Sequence, residues 1–158
     1  MQEEDNFQEY PILELGITIS RPATWKMVPA GLASSDSILL AIMFKRSERS
    51  RPSVTLLVHQ IPPNIDNAPA NGKEYVESNI MDLTNKHEDF DLMESAPSTL
   101  GGNIAHQAVY LLGGAKHFSI ATIKGNKIYN IVYRSNPEEY SQYLPVAEKM
   151  VESFQYVS

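Results

Sequence analysis

Four histidines, His59, His87, His106 and His117, are the residues of this chain best suited to hold a metal ion, and cysteine is absent. The lack of thiols removes disulfides, thiolate nucleophiles and sulfur-ligated metals together. A two-residue turn at Gly113–Gly114 sets a hairpin register in which Tyr110 faces His117 and Ala121 faces His106. His106 and His117 then share a face but lie four residues apart, roughly 13 Å at the rise of a strand, too far for one ion. His87 lies in "KHEDFD" beside Glu88, Asp89 and Asp91. Those carboxylates could hold a hard cation weakly, although the stretch lacks the glycine and the spacing of a calcium loop and reads equally as a solvated turn.

Acid–base chemistry is the second candidate, since Glu138 and Glu139 stand among Tyr133, Tyr140 and Tyr143. Neighbouring residues on a helix diverge by about 100°. Carboxylates are also what a helix start favours, so cap physics accounts for the pair. Tyr129 and Tyr133 flank Ile131 on one face of a strand, which reads as a packing ladder. The nucleophile-elbow, dinucleotide and phosphate-loop patterns are absent. No cofactor is expected from these residues.

The remaining cluster is "KRSERSR", which places Lys45, Arg46, Arg49 and Arg51 within seven positions of a chain whose net charge is −6. Held out between two strands, it could contact an acidic protein or an anionic membrane surface, or simply keep a hairpin end soluble. Together with Trp25, the only tryptophan, these residues are the candidate partner-binding set. The acidic balance and the absence of an aromatic from the loop argue against nucleic acid.

The elements that must position these groups follow from periodicity. The 158 residues are 42% hydrophobic and 20% charged, a globular composition for one domain. No apolar run approaches the ~18 residues of a spanning helix. Residues 1–11 read as a polar, flexible lead-in, native or left by a trimmed leader, and residues 12–158 as a single domain. "GITIS" alternates as a half-buried strand, ended by Pro22. "SILLAIMF" and "SVTLLVHQ" read as antiparallel neighbours. "KEYVESNIMDLTNK" has helical spacing, with Asn71 as its cap. "DFDLMES" alternates again, and "IAHQAVYLL", "KHFSIATI" and "KIYNIVY" form a meander through "GG" and "GN" turns. The last helix is predicted to open at Asn136 with Pro137 at its first position, and to begin afresh at Pro145. The order β–ββ–α–β–βββ–α, with apolar residues on both sheet faces, predicts an α+β fold: a three-layer α/β/α sandwich around a mainly antiparallel sheet.

The segments "GITISRPATWKMV", "KEYVESNI", "LGGNIAHQAVYL" and "IKGNKIYNIVYRSNPEEYSQYLPVAEKMVESF" together resemble the PsbP family over roughly Ile12 to Val157. The family's founder is an extrinsic subunit on the oxygen-evolving side of photosystem II. The most specific pieces are the Pro–x–x–Trp turn and the Tyr–x–x–x–Tyr–Leu–Pro lead into the final helix. The plastid-type insertions and N-terminal arm have no counterpart, so photosystem docking is not carried over. The resemblance implies a PsbP-like domain, non-enzymatic, acting as an accessory module docked on a protein or membrane-associated complex. It favours an extracytoplasmic or membrane-associated location and leaves a cytoplasmic one open. The alternative is a carrier of a small ligand or metal ion in a pocket between sheet and helix.

Overall fold

The computed structural model describes residues 6–29, 37–47, 52–63 and 66–157. Ten strands and two α-helices follow in the order β1 (Phe7–Ile12), β2 (Ile17–Pro22), β3 (Lys26–Pro29), β4 (Ile38–Lys45), β5 (Ser53–Gln60), α1 (Gly72–Lys86), β6 (Asp91–Leu100), β7 (Asn103–Leu112), β8 (Ala115–Lys124), β9 (Lys127–Ser135), α2 (Tyr140–Ser153) and β10 (Gln155–Tyr156). Seven strands form one antiparallel sheet in the order β3-β4-β5-β9-β8-β7-β6. A second, three-stranded sheet, β1-β2-β10, lies with α2 on one face of it, and α1 covers the other. The three-layer α/β/α arrangement and the antiparallel sheet are those expected from the sequence.

Alternation explains the two faces. Leu56, Ile120 and Ile131 point to the α2 side and join Ile17, Ile19, Trp25, Met150 and Phe154 in the main core. Their neighbours Ala108 and Ala121 point the other way, where Val76 of α1 packs on them. The small residues are needed there because α1 approaches closely: a Cβ on Gly72 would lie 2.3 Å from the carbonyl oxygen of Ala121. Asn71 caps α1 as expected, its Oδ1 accepting from the Glu74 amide at 2.9 Å, while Glu74 Oε1 accepts from the Ala70 amide.

Four boundaries differ from the sequence reading. The lead-in is not wholly outside the sheets, because Phe7–Ile12 pairs with β2 from Phe7↔Pro22 to Ile12↔Ile17, turning Phe7, Tyr10 and Ile12 toward the core. β2 does end at Pro22 as expected, and β3, four residues on, is an edge strand of the seven-stranded sheet paired with β4. β6 runs on to Leu100 through Pro97, which an edge strand tolerates because its missing N–H leaves no interior ladder broken. α2 starts at Tyr140 instead of Asn136. Residues 137–139 form a turn in which the Glu139 amide donates to the Asn136 carbonyl and Asn136 Nδ2 to Glu139 Oε1. Pro145 lies inside a continuous α2. The carbonyl that loses its donor there is that of Ser141, and both residues are exposed, so solvent can satisfy it.

Candidate functional site

A cleft of about 840 Å³ lies on the α2 side, between the helix and strands β6, β7 and β8. Phe118 and Ile120 of β8 and Gln107 of β7 make its floor. Glu148 and Glu152, one helical turn apart on α2, stand along one wall, with Ser98 of β6 opposite. One end is closed by aromatic packing: Phe154 and Tyr156 meet edge-to-face at 5.4 Å, and Tyr156 meets Tyr129 at 5.2 Å. Tyr156 is further held by Asn103 Nδ2, which donates to its hydroxyl at 3.3 Å, and by Lys124, whose Nζ sits 3.9 Å from the ring centroid. Burial pushes the Tyr156 hydroxyl up to about 12, so it is a neutral hydrogen-bonding group across the physiological range. Gly101, at φ 60°, permits this closure, since a Cβ there would come within 2.8 Å of the Tyr156 ring.

The expected partner-binding residues fall elsewhere. Trp25 is 1% exposed and stacks edge-on against Tyr143 at 6.5 Å, so it is a core residue and no part of a surface. That corrects the sequence reading, which could see a lone tryptophan after a turn but not the side of the sheet it enters. Lys45 is the half-buried last residue of β4, paired with Lys26 and Ser53. Arg46 folds back so that its guanidinium lies 5.2 Å over the Tyr143 ring. Arg49 and Arg51 lie outside the described residues.

The metal candidates do not converge. His87, Glu88, Asp89 and Asp91 are all exposed after the end of α1, and Asp89 Oδ2 accepts from the Gly113 amide at 2.9 Å. Among the described residues no group of three His, Asp or Glu is placed to hold an ion. The hairpin register is the expected one, with Tyr110 opposite His117 and His106 opposite Ala121, which keeps those two histidines apart. His117 instead stacks on Tyr110 at 4.8 Å and 8°. Burial, helped by the Arg134 guanidinium, lowers its pKa to about 4. His59 is lowered by burial as well.

A depressed histidine pKa means that the fold favours the neutral ring. The His117 contribution is therefore complete above pH 6.5 and is lost as pH falls through 4. Denaturant midpoints measured between pH 7 and 4 are expected to fall over that window, and His117→Phe, which keeps the stack, is expected to flatten the fall. An identical slope in the variant would assign the acid limb to other groups.

Among the described residues the acids and hydroxyls assemble no reaction centre either. Tyr133 donates to the Tyr140 carbonyl at 2.7 Å, and its ring packs on Tyr140 at 5.0 Å; Glu139 completes the turn before α2. These residues close the fold, as the sequence suggested. Ser95 Oγ lies 2.8 Å from His106 Nε2, a nucleophile–base distance. No carboxylate among the described residues bonds His106, and neither residue lines the cleft, so the pair reads as a serine satisfying a buried imidazole. The cleft itself was not legible in the sequence, because Gln107, Ser98, Glu148 and Lys124 are ordinary surface types on four separate elements. No described helix is long and apolar enough to cross a membrane.

The sequence matches no family model and no curated protein. Solved structures do match. The cyanobacterial PsbP protein CyanoP from Synechocystis sp. PCC 6803 superposes with a TM-score of 0.70 at 16% identity, over 96% of this chain and 92% of that one. LpqN of Mycobacterium tuberculosis, described as involved in cell envelope biogenesis, gives 0.65 at 16% identity over 99% and 95%. PA94 of Pseudomonas aeruginosa, a protein of unknown function, gives 0.51 at 12% over 91% and 92%. At these identities the likeness is one of fold, and with the topology above it shows that this chain has the PsbP-like fold.

Proposed function

We propose that the protein is a non-enzymatic accessory module that holds a segment of a partner protein in the α2 cleft, as part of a membrane-associated complex on the envelope side. The cleft is the observation that carries this reading: about 840 Å³ above an uncovered stretch of sheet. Its lining, polar walls over a floor of Phe118 and Ile120, suits recognition, and among the described residues no nucleophile, base and orienting group meet in it. The wall carboxylates Glu148 and Glu152 repel anionic headgroups, which favours a protein over the membrane surface as the direct partner. The likeness to LpqN supports the envelope placement. Its carrier alternative has, for a metal ion, no ligand cluster among the described residues to rest on.

Filling the cleft tests the proposal. Gln107→Trp is expected to lower recovery of the partner about tenfold, the size of effect at the centre of an interface, with a Tm close to that of wild type. Lys45→Ala with Arg46→Ala is expected to keep the partner. Loss with the loop variant and retention with the cleft variant would return the binding face to the basic loop.

A further inference from the structure

A second pocket lies on the opposite face of the sheet, along the flank of α1. It encloses about 200 Å³, walled by Val76, Ile80 and Leu83 of the helix and Val132 of β9. Its floor carries two polar side chains from adjacent strands, Ser119 and Asn130, and Asn79, Asp82 and Tyr110 line it beside the aliphatic residues. Asn130 is 4% exposed and Ser119 8%. Ser119 Oγ donates to Asn130 Oδ1 at 3.1 Å, which uses the amide's acceptor and the hydroxyl's proton. The other half of the amide, Nδ2, makes no hydrogen bond to any described residue and borders the pocket. Asn130 therefore has its acceptor engaged within the protein and its donors open to the pocket, although Nδ2 is not one of the atoms sealed from solvent.

We propose that this pocket binds a small neutral ring compound carrying one hydrogen-bond acceptor, a hydroxyl or carbonyl oxygen, which takes a hydrogen bond from Asn130 Nδ2 while the ring fills the aliphatic walls. Size supports the class, since an apolar cavity of about 150 Å³ accepts benzene and this one holds about 200 Å³. The one carboxylate that lines the pocket, Asp82, is exposed and paired with Lys86 at 3.2 Å, which offsets its charge. The pattern of apolar walls with a small number of placed polar groups is that of small-molecule sites in general. The site shares no residue with the cleft and stands or falls independently of it.

The test is a backbone-amide NMR titration of the whole chain with phenol and, separately, with benzene. Phenol is expected to saturate with a Kd of about 1 mM, as suits seven heavy atoms, and to shift the signals of Val76, Ile80 and Val132. Asn130→Leu, close in volume, is expected to weaken phenol about tenfold, one good hydrogen bond, and to leave benzene no weaker. Ile80→Phe, which fills the pocket from a half-exposed helix position, is expected to abolish both and keeps the test valid if the core variant folds poorly. Absence of saturable binding would overturn the proposal. So would shifts confined to the cleft, or equal phenol affinity with and without the amide.

Discussion

Trp25→Ala is expected to cost about 3–5 kcal/mol, the cost of removing a large aromatic from a packed core, and at this chain length to lower Tm by about 10–15 °C. Trp25 is 1% exposed, the largest fully buried side chain in the molecule. It enters the core from the turn between β2 and β3, where its amide donates to the Pro22 carbonyl at 3.1 Å and its carbonyl accepts from Arg21 at 2.7 Å. Its ring meets Tyr143 of α2, so the loss loosens the small sheet, the helix and the large sheet together. Trp25→Phe is expected to cost much less, because the indole Nε1 has no partner among the described residues and its removal strands no acceptor. Being the only tryptophan, Trp25 reports on itself, and its emission is expected to be blue-shifted in the native state and to shift red on unfolding. A stable Trp25→Ala chain with a water-like emission in wild type would put the indole at the surface and restore it as a partner contact.

Gly72→Ala is expected to be the most damaging single-methyl change, at about 2–3 kcal/mol, the upper range for overpacking. Elsewhere in a helix the same substitution stabilises by up to about 1 kcal/mol, so the sign itself is diagnostic. At Gly72 the new Cβ would meet Ala121 at 2.3 Å from the carbonyl oxygen and 3.1 Å from the carbonyl carbon. Both are strand backbone atoms that cannot turn aside as a side chain could. The first turn of α1 must therefore lift from β8, weakening the contact of Val76 with Ala108 and Ala121. Urea midpoints check the size, and amide exchange of the first turn of α1 checks the place. A neutral or stabilising result would mean that α1 sits farther from the sheet.

The parts of the fold that were legible in the sequence are those where one local rule acts alone. The β7–β8 register follows from Gly113 and Gly114, both left-handed at φ 61° and 76°, which make a two-residue turn and leave a single alternation on either side. Asn71 with Glu74 marks the start of α1 for the same reason. The elements missed are too short to carry a period, since β3 has four residues and β10 two, and the strand read at "DFDLMES" was cut short because β6 runs on through a proline. Asn136–Pro137 has the composition of a helix start, yet the chain spends it on a separate turn that brings Tyr140 against Tyr133. The sites were missed for a different cause. The cleft and the α1 pocket are each lined by residues from several strands and a helix brought together by the fold, which no local pattern records. Asn130 looks like any polar residue in "KIYNIVY" until its neighbours across the sheet are known.

The most direct test of the accessory-module account is a photo-crosslinking residue placed at Gln107 in the cleft floor, compared with one at exposed Glu77 on α1, both in the native cell. The expected result is one discrete protein adduct from position 107, absent from position 77 and lost when the cleft is narrowed by Ser98→Trp. Equal adducts from both positions, or an adduct from 77 alone, would contradict a partner held in the cleft.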